Sequence, residues 1–225
     1  YRMPWLGTFH SVCGRILRRN LDLLDGYNNN YVIFDDSDQL SLMKKILADL
    51  NIGKQTLAPR SAMGRISNLK NQMINYKEYY KNAETNIEIQ LAEIYKMYQE
   101  RLIQSNALDF DDMLLLVIEL LQKRPELLAR YQEQFQYVLV DEYQDTNKAQ
   151  YLITKLLADK HKNICVVGDS DQNIYSWRGA DITNILSFEH DYHDVKIIML
   201  EQNYRSTKNI LDVANSVIKN NEQRK

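Results

Sequence analysis

The chain has 225 residues, 44% hydrophobic and 26% charged, enough to bury the core of one large domain or two smaller ones. Its formal net charge of -2 excludes a chain held to nucleic acid by a global positive field, so any such contact must come from a local patch. Two cysteines, Cys13 and Cys165, exclude a disulfide scaffold or zinc ribbon, and no apolar run approaches membrane-spanning length.

No secretory signal opens the chain, and a reducing, cytoplasmic compartment is the resulting expectation. There is no initiator Met before Tyr1, and a helical pattern is still running at Lys225. Both ends read as cut, so a fragment of a longer protein is expected.

Residues 9 to 24 place Phe9, Val12, Ile16, Leu17, Leu21 and Leu24 at helical spacing. Arg15, Arg18 and Arg19 share one face of that helix, which reads as solvated. Gly26 to Asn30 is a turn. Asp36-Ser37-Asp38 announce and cap a second helix, and Gly53 stops it. Pro59 starts a third, running through Ile74. A long helix from about Ala83 to Ser105 is expected to bury Ile87, Leu91, Ile94, Tyr95, Tyr98 and Leu102. Residues 30 to 106 therefore read as all-helical, without a strand. Helices from Met113 to Gln122 and from Pro125 to near Phe135 follow.

The pattern then changes. Strand 137–141, helix 146–158, strand 163–168, a short helix near 182–187 and strand 196–201 alternate, which specifies a parallel sheet with crossover helices. Cys165 reads as a small core residue of its strand. Ser206-Thr207 cap a last helix with Ile210, Leu211, Val213, Ala214 and Val217 on its buried side.

The chemistry gathers at the strand ends. Val138-Leu139-Val140 runs into Asp141-Glu142, and Ile164-Cys165-Val166-Val167 runs into Gly168-Asp169 with Gln172 beyond. Short apolar runs ending in acids read as buried parallel strands, and ligands bind at that edge of an open α/β sheet. An Asp-Glu pair there suits nucleotide hydrolysis: one carboxylate holds Mg²⁺ and the other orients or deprotonates water. Gln172 can sense a phosphate or water. Tyr175 and Trp177 with Arg178 suit stacking on an unpaired base and neutralising phosphate, with core packing the plainer use of the two rings. Arg205 could clamp a phosphate and Tyr204 could stack on adenine; alone, Arg205 is more often a surface ion-pair partner. Thr8-Phe9-His10-Ser11 precedes a helix N-terminus suited to phosphate, with capping by Thr8 or Ser11 the alternative. Asp109, Asp111 and Asp112 resemble a metal cluster, but helix capping is the better reading. A metal nuclease using Asp109, Asp111 and Asp141 is a third, weaker possibility.

Taken together, Thr8-Phe9-His10-Ser11, Leu108-Asp109-Phe110-Asp111-Asp112, the run from Val140 to Asn147, the run from Gly168 to Ala180 and the run from Leu200 to Ser206 resemble the UvrD/Rep/PcrA helicases of superfamily 1 in order and spacing. The resemblance covers essentially the whole chain. It implies an α/β fold, a RecA-like parallel sheet core with a large all-helical inserted subdomain. Residues 1–28 and 107–202 would be part of the first RecA-like ATPase domain, 29–106 the insertion facing duplex DNA, and 203–225 the start of the second RecA-like domain. It implies ATP-driven 3′-to-5′ translocation on single-stranded DNA and unwinding of duplex, in repair or replication restart. Asp141 would coordinate Mg²⁺, Glu142 activate water, Gln172 couple the γ-phosphate to DNA, Arg205 contact the γ-phosphate and Tyr204 stack on adenine. Trp177 with Tyr175 and Arg178 would hold single-stranded DNA, and Thr8, Phe9 and His10 would line the same groove.

One departure is large. The family's phosphate loop, Gly-x-x-x-x-Gly-Lys-Ser/Thr, does not occur; of seven glycines only Gly53 precedes a lysine, and Gln55 follows it. That loop is expected upstream of Tyr1, and the isolated fragment is expected to hydrolyse ATP barely or not at all. Asn173 stands where a Ser is common in the family. A helicase-nuclease subunit and a non-catalytic DNA-binding scaffold that has lost its phosphate loop are the alternatives.

Overall fold

The computed structural model describes residues 5–53, 56–176, 179–192 and 194–220. Helix α1 spans Phe9–Asn20. The short strand β1 is Val32–Ile33, followed by α2 Asp36–Asp49, α3 Pro59–Asn71, α4 Tyr76–Asn82 and α5 Asn86–Gln104. Then come β2 Ala107–Leu108, α6 Phe110–Lys123, α7 Pro125–Gln134, β3 Val138–Val140, α8 Lys148–Ala158 and β4 Ile164–Val166. Two short helices, α9 Thr183–Leu186 and α10 Phe188–Asp191, precede α11 Lys208–Ile218.

Local sequence explains most helix starts. Reciprocal capping boxes pair Asp35 with Asp38, Thr85 with Glu88, Asp109 with Asp112 and Asn147 with Gln150, each satisfying otherwise orphaned backbone N–H groups. Pro59 and Pro125 open α3 and α7, where a missing N–H costs nothing.

The described residues form two separate apolar cores. One joins Ile16 and Leu17 of α1, Val117 and Leu121 of α6, Tyr131 of α7 and Ile153 of α8. The other joins Met43 and Ile46 of α2, Ala62 and Ile66 of α3, and Ile94 and Tyr98 of α5. Each fully buried aliphatic side chain contributes about 1.5–3 kcal/mol. Strands β3 and β4, connected through α8, pair in parallel with Val138 opposite Ile164 and Val140 opposite Val166.

Several expectations are corrected. The block from 30 to 106 is not strand-free: Val32–Ile33 pairs in parallel with Ala107–Leu108. The chain leaves and returns side by side there, and Asn28 and Asn106 exchange two hydrogen bonds of 3.0 and 2.8 Å. Helix α3 stops at Asn71, because Met73 turns left-handed (φ 65°) and Asn75 caps the separate helix α4. Ile87 is exposed; the buried stripe of α5 begins at Leu91. Cys165 is exposed, because its register partner Leu139 shares a sheet face that nothing described covers. Residues 196–201 form no strand. A strand exists only through its ladder. Among the described residues β3 and β4 pair only with each other, which leaves Ile197 to Leu200 exposed. The apolar side of α11, with Ile210, Val213 and Val217, is likewise exposed.

A buried ionic joint ties the two cores together. Lys70 of α3 donates to Asp109 and to Asp112 at 2.7 Å each, all three nearly inaccessible. Tyr98 donates to Asp109 at 3.1 Å, and Gln99 donates to Asp112 at 3.1 and 3.2 Å. Asp109 and Asp112 thus cap α6 as the sequence suggests, but their second role, as partners of a buried lysine, was not foreseen. Burial works against the Lys70 charge, yet Asp109 and Asp112 outweigh it and hold its pKa well above the usual lysine range. Burial first, then Asp109, pushes the Asp112 carboxyl up to about 6. A carboxyl raised in the folded state binds its proton more tightly there than when unfolded. Its contribution is therefore full below the unfolded value of 3.8 and lost as pH rises through about 6. Between those values the native chain is expected to lose stability with rising pH relative to Asp112→Asn, measured by urea unfolding of both. Parallel pH profiles would remove the basis for that assignment.

Candidate active site

Strand β3 delivers Asp141 and Glu142 to solvent at its carboxyl end. Asp141 Oδ1 accepts the Glu142 N–H at 3.0 Å. Glu142 adopts φ 50° and ψ 47°. Such left-handed geometry is uncommon outside glycine, costs roughly 1–3 kcal/mol, and clusters at functional sites. The next residues form a 3₁₀ turn, Tyr143–Asp145, whose buried Tyr143 ring packs edge-on against Phe188 with centroids 5.8 Å apart. Strand β4 leads through Gly168 into a second turn, Ser170–Gln172, where Gln172 Nε2 donates to Asp169 Oδ2 at 2.8 Å.

Gln144 joins the two strand tips. It is 1% exposed. Its amide nitrogen donates to Glu142 Oε2 at 2.8 Å, its side-chain oxygen accepts the Asp169 N–H at 3.0 Å, and its backbone carbonyl accepts Asn173 Nδ2 at 2.6 Å. Gly168 permits this approach: a Cβ there would lie 2.6 Å from Gln144 Oε1 and 3.2 Å from the Tyr143 backbone nitrogen. Asp141, Glu142 and Gln172 are thereby held on two linked turns. Sequence reasoning assigned no role to Gln144, because a glutamine just past a strand tip looks like a solvated turn residue until the turn folds it under.

A second connection reaches the helical block. Asn147, the cap of α8, donates to Asn71 Oδ1 at 2.9 Å, and Asn71 donates to Asp111 Oδ1 at 3.5 Å. Gly179, at φ 85°, passes Asn71 so closely that a Cβ would touch it at 3.5 Å. Asn71 thus contacts both the turn that follows the acids and the loop that carries Tyr175. No sequence signal marked it, since its partners lie 40 and 76 positions away.

Thr8 caps α1, its Oγ1 accepting the Ser11 N–H at 3.3 Å. Phe9 packs against the first core. His10 sits edge-on to Phe110, centroids 5.7 Å apart, and burial holds its pKa below the usual histidine range. Tyr175 is 39% exposed on its loop. Trp177 and Arg178 lie outside the described residues. Tyr204 and Arg205 lie on an exposed stretch, where Asn203 Oδ1 accepts the N–H of Arg205 at 2.9 Å. Among the described residues no hydrogen bond or ion pair joins the Arg205 side chain to Asp141, Glu142 or Gln172.

Chemically, exposed acids on a rigid turn can bind a cation and polarise water. Mg²⁺ takes one or two carboxylates plus phosphate oxygens and water, not a closed protein cage. Asp141 fits that donor set, and the described residues contain no group of three or more His, Cys, Asp or Glu that could hold a metal ion. Asp109 does not join Asp141 in such a group, being buried against Lys70. No described helix is long and apolar enough to cross a membrane.

Residues 1–193 match the family described as UvrD/REP helicase N-terminal domain. The chain is 55% identical over 221 residues to the ATP-dependent DNA helicase PcrA of Staphylococcus epidermidis, covering 98% of this chain and 30% of that protein. It is 52% identical over the same shares to PcrA of Bacillus subtilis, and 54% identical to PcrA of Staphylococcus aureus. The chain thus spans about 30% of the length of the curated relatives it matches.

Proposed function

The chain belongs to the UvrD/REP helicase family, and on that footing we propose that it is a fragment of an ATP-dependent DNA helicase that supplies acids for ATP hydrolysis and part of the grip on single-stranded DNA. Residues 1–28 and 107–202 form part of a first RecA-like domain, 29–106 an inserted helical subdomain, and 203–225 the start of a second RecA-like domain. The whole enzyme translocates 3′-to-5′ and unwinds duplex in DNA repair or replication restart, in the cytoplasm. The observation that carries this reading is the Gln144 bridge, which puts the Glu142 carboxylate and the Asp169–Gln172 turn on one hydrogen-bonded unit.

Each residue then has a task. Asp141 would hold Mg²⁺, which when bound would neutralise charge on the phosphates of the nucleotide. Glu142 takes a proton from the attacking water. Gln172 reports the phosphate to the loop beyond it, and Arg205 and Tyr204 approach the γ-phosphate and adenine from the second domain. Tyr175, Trp177 and Arg178 grip the strand, with Thr8, Phe9 and His10 along the same groove. The 225-residue chain alone contains no Gly-x-x-x-x-Gly-Lys-Ser/Thr run and is expected to turn over ATP barely or not at all.

Strand separation by the full-length helicase tests polarity: 3′-tailed duplexes should open, and opening of 5′-tailed duplexes alone would reject the reading. Trp177→Ala should weaken single-stranded DNA binding by about 1–3 kcal/mol, the worth of one stacked base. Unchanged affinity in fluorescence anisotropy would remove Trp177 from the grip.

A further inference from the structure

The arginine face of α1 is open to solvent, as its spacing suggests, with Arg18 and Arg19 exposed and Arg15 half-buried. Arg15, Arg18 and Arg19 line a cleft of about 340 Å³ that also takes in His10 and Ser11. The Arg18 guanidinium lies 3.8 Å above the Tyr31 ring, and its Nη1 donates to the carbonyls of Tyr31 at 2.6 Å and Asn29 at 3.2 Å. Arg15 lies 4.6 Å from the Trp5 ring centroid and donates to the Leu6 carbonyl at 3.3 Å, while Arg19 lies 5.2 Å from the same centroid. None of the three forms an ion pair with a carboxylate among the described residues, although the whole chain carries a net charge of -2.

Three positive charges therefore lie against aromatic rings, Arg15 and Arg18 also held by backbone carbonyls, with no carboxylate paired to them among the described residues. Each guanidinium has five donors, of which these contacts use only part. A planar fork already held in place loses less freedom on meeting an anion than a mobile lysine does. The residues of α1 that line the cleft run from His10 to Arg19, so a chain of regularly spaced anions can meet more than one of the three guanidiniums.

We propose that this cleft is a phosphodiester-binding site, taking the backbone of the DNA strand where it continues past His10. The inference rests on the helicase reading, which supplies the strand. It adds a sequence-independent electrostatic contact to the stacking grip of the Tyr175 loop. Arg15 and Arg19 meet the phosphates directly, while Arg18 also holds the carbonyls beside β1.

The test uses the full-length helicase with Arg15→Gln and Arg19→Gln combined, leaving Arg18 in place for its structural bonds. Affinity for a labelled oligo-dT strand and for a blunt duplex is measured across a range of salt. Each lost phosphate contact lowers the slope of log affinity against log salt by about 0.7 on single strands and 0.9 on duplex. The double variant should lose between about one and two units of slope on the oligo-dT strand, and a matching loss on the duplex would place double-stranded backbone there as well. Arg15→Lys with Arg19→Lys should retain the wild-type slope, because the charges remain; a role in folding alone would not be rescued this way. Wild-type slopes on both probes in the Gln variant would overturn the site while leaving the helicase reading intact. A wild-type protein that bound neither probe would overturn both.

Discussion

Glu142→Gln in the full-length helicase is expected to lower kcat for ATP hydrolysis by about 10²–10⁴-fold, the usual worth of a general base. The substitution is isosteric. A glutamine at this position can still accept the Gln144 amide that now reaches Glu142 Oε2 at 2.8 Å, so the linked turns should persist. What it removes is the ability to take a proton from water. Nucleotide affinity should change little, because Asp141 and the phosphate contacts are untouched. Steady-state turnover and fluorescent-nucleotide binding, run on the same preparation, separate the two effects. A variant that binds and turns over ATP like the wild type would rule out Glu142 as the base.

Lys70→Met should destabilise the fold by about 3–5 kcal/mol. The stem volume is nearly kept, but Asp109 and Asp112 would remain buried with no cation between them. That is a large share of the roughly 5–15 kcal/mol stability of a folded domain. Urea unfolding followed by circular dichroism gives the number. Adding Asp109→Asn and Asp112→Asn to Lys70→Met should recover part of the loss, since the stranded charges disappear with their partner. A Lys70→Met stability within about 1 kcal/mol of wild type, the level of an exposed pair, would mean that the joint is wet and weak.

The β3–α8–β4 unit was readable because continuous apolar runs ending in acids have few other interpretations, and because strands alternating with helical stretches specify a parallel sheet. The helical block was readable from its spacing and prolines. The joint was not. A lysine in an amphipathic helix reads as surface, and Lys70 finds its carboxylates 39 and 42 residues away, where no local pattern reports them. Gln144 and Asn71 escaped for the same reason: their roles arise from turns that bring distant backbone together. The apolar run at Ile197 to Leu200 misled in the opposite direction. Its composition suits a buried strand, but pairing depends on a neighbour, and among the described residues β3 and β4 pair only with each other. For Cys165, the alternating faces of a strand put it beside exposed Leu139 instead of the helix-covered side.

The proposed function depends most directly on where a triphosphate binds. A structure of the full-length helicase with Mg²⁺, a non-hydrolysable ATP analogue and single-stranded DNA should place an Asp141 oxygen about 2.0–2.1 Å from the metal, with Glu142 facing the γ-phosphate and Gln172 beside it. Nucleotide and metal held by other residues, with the Asp141–Glu142 turn pointing into empty solvent, would contradict it.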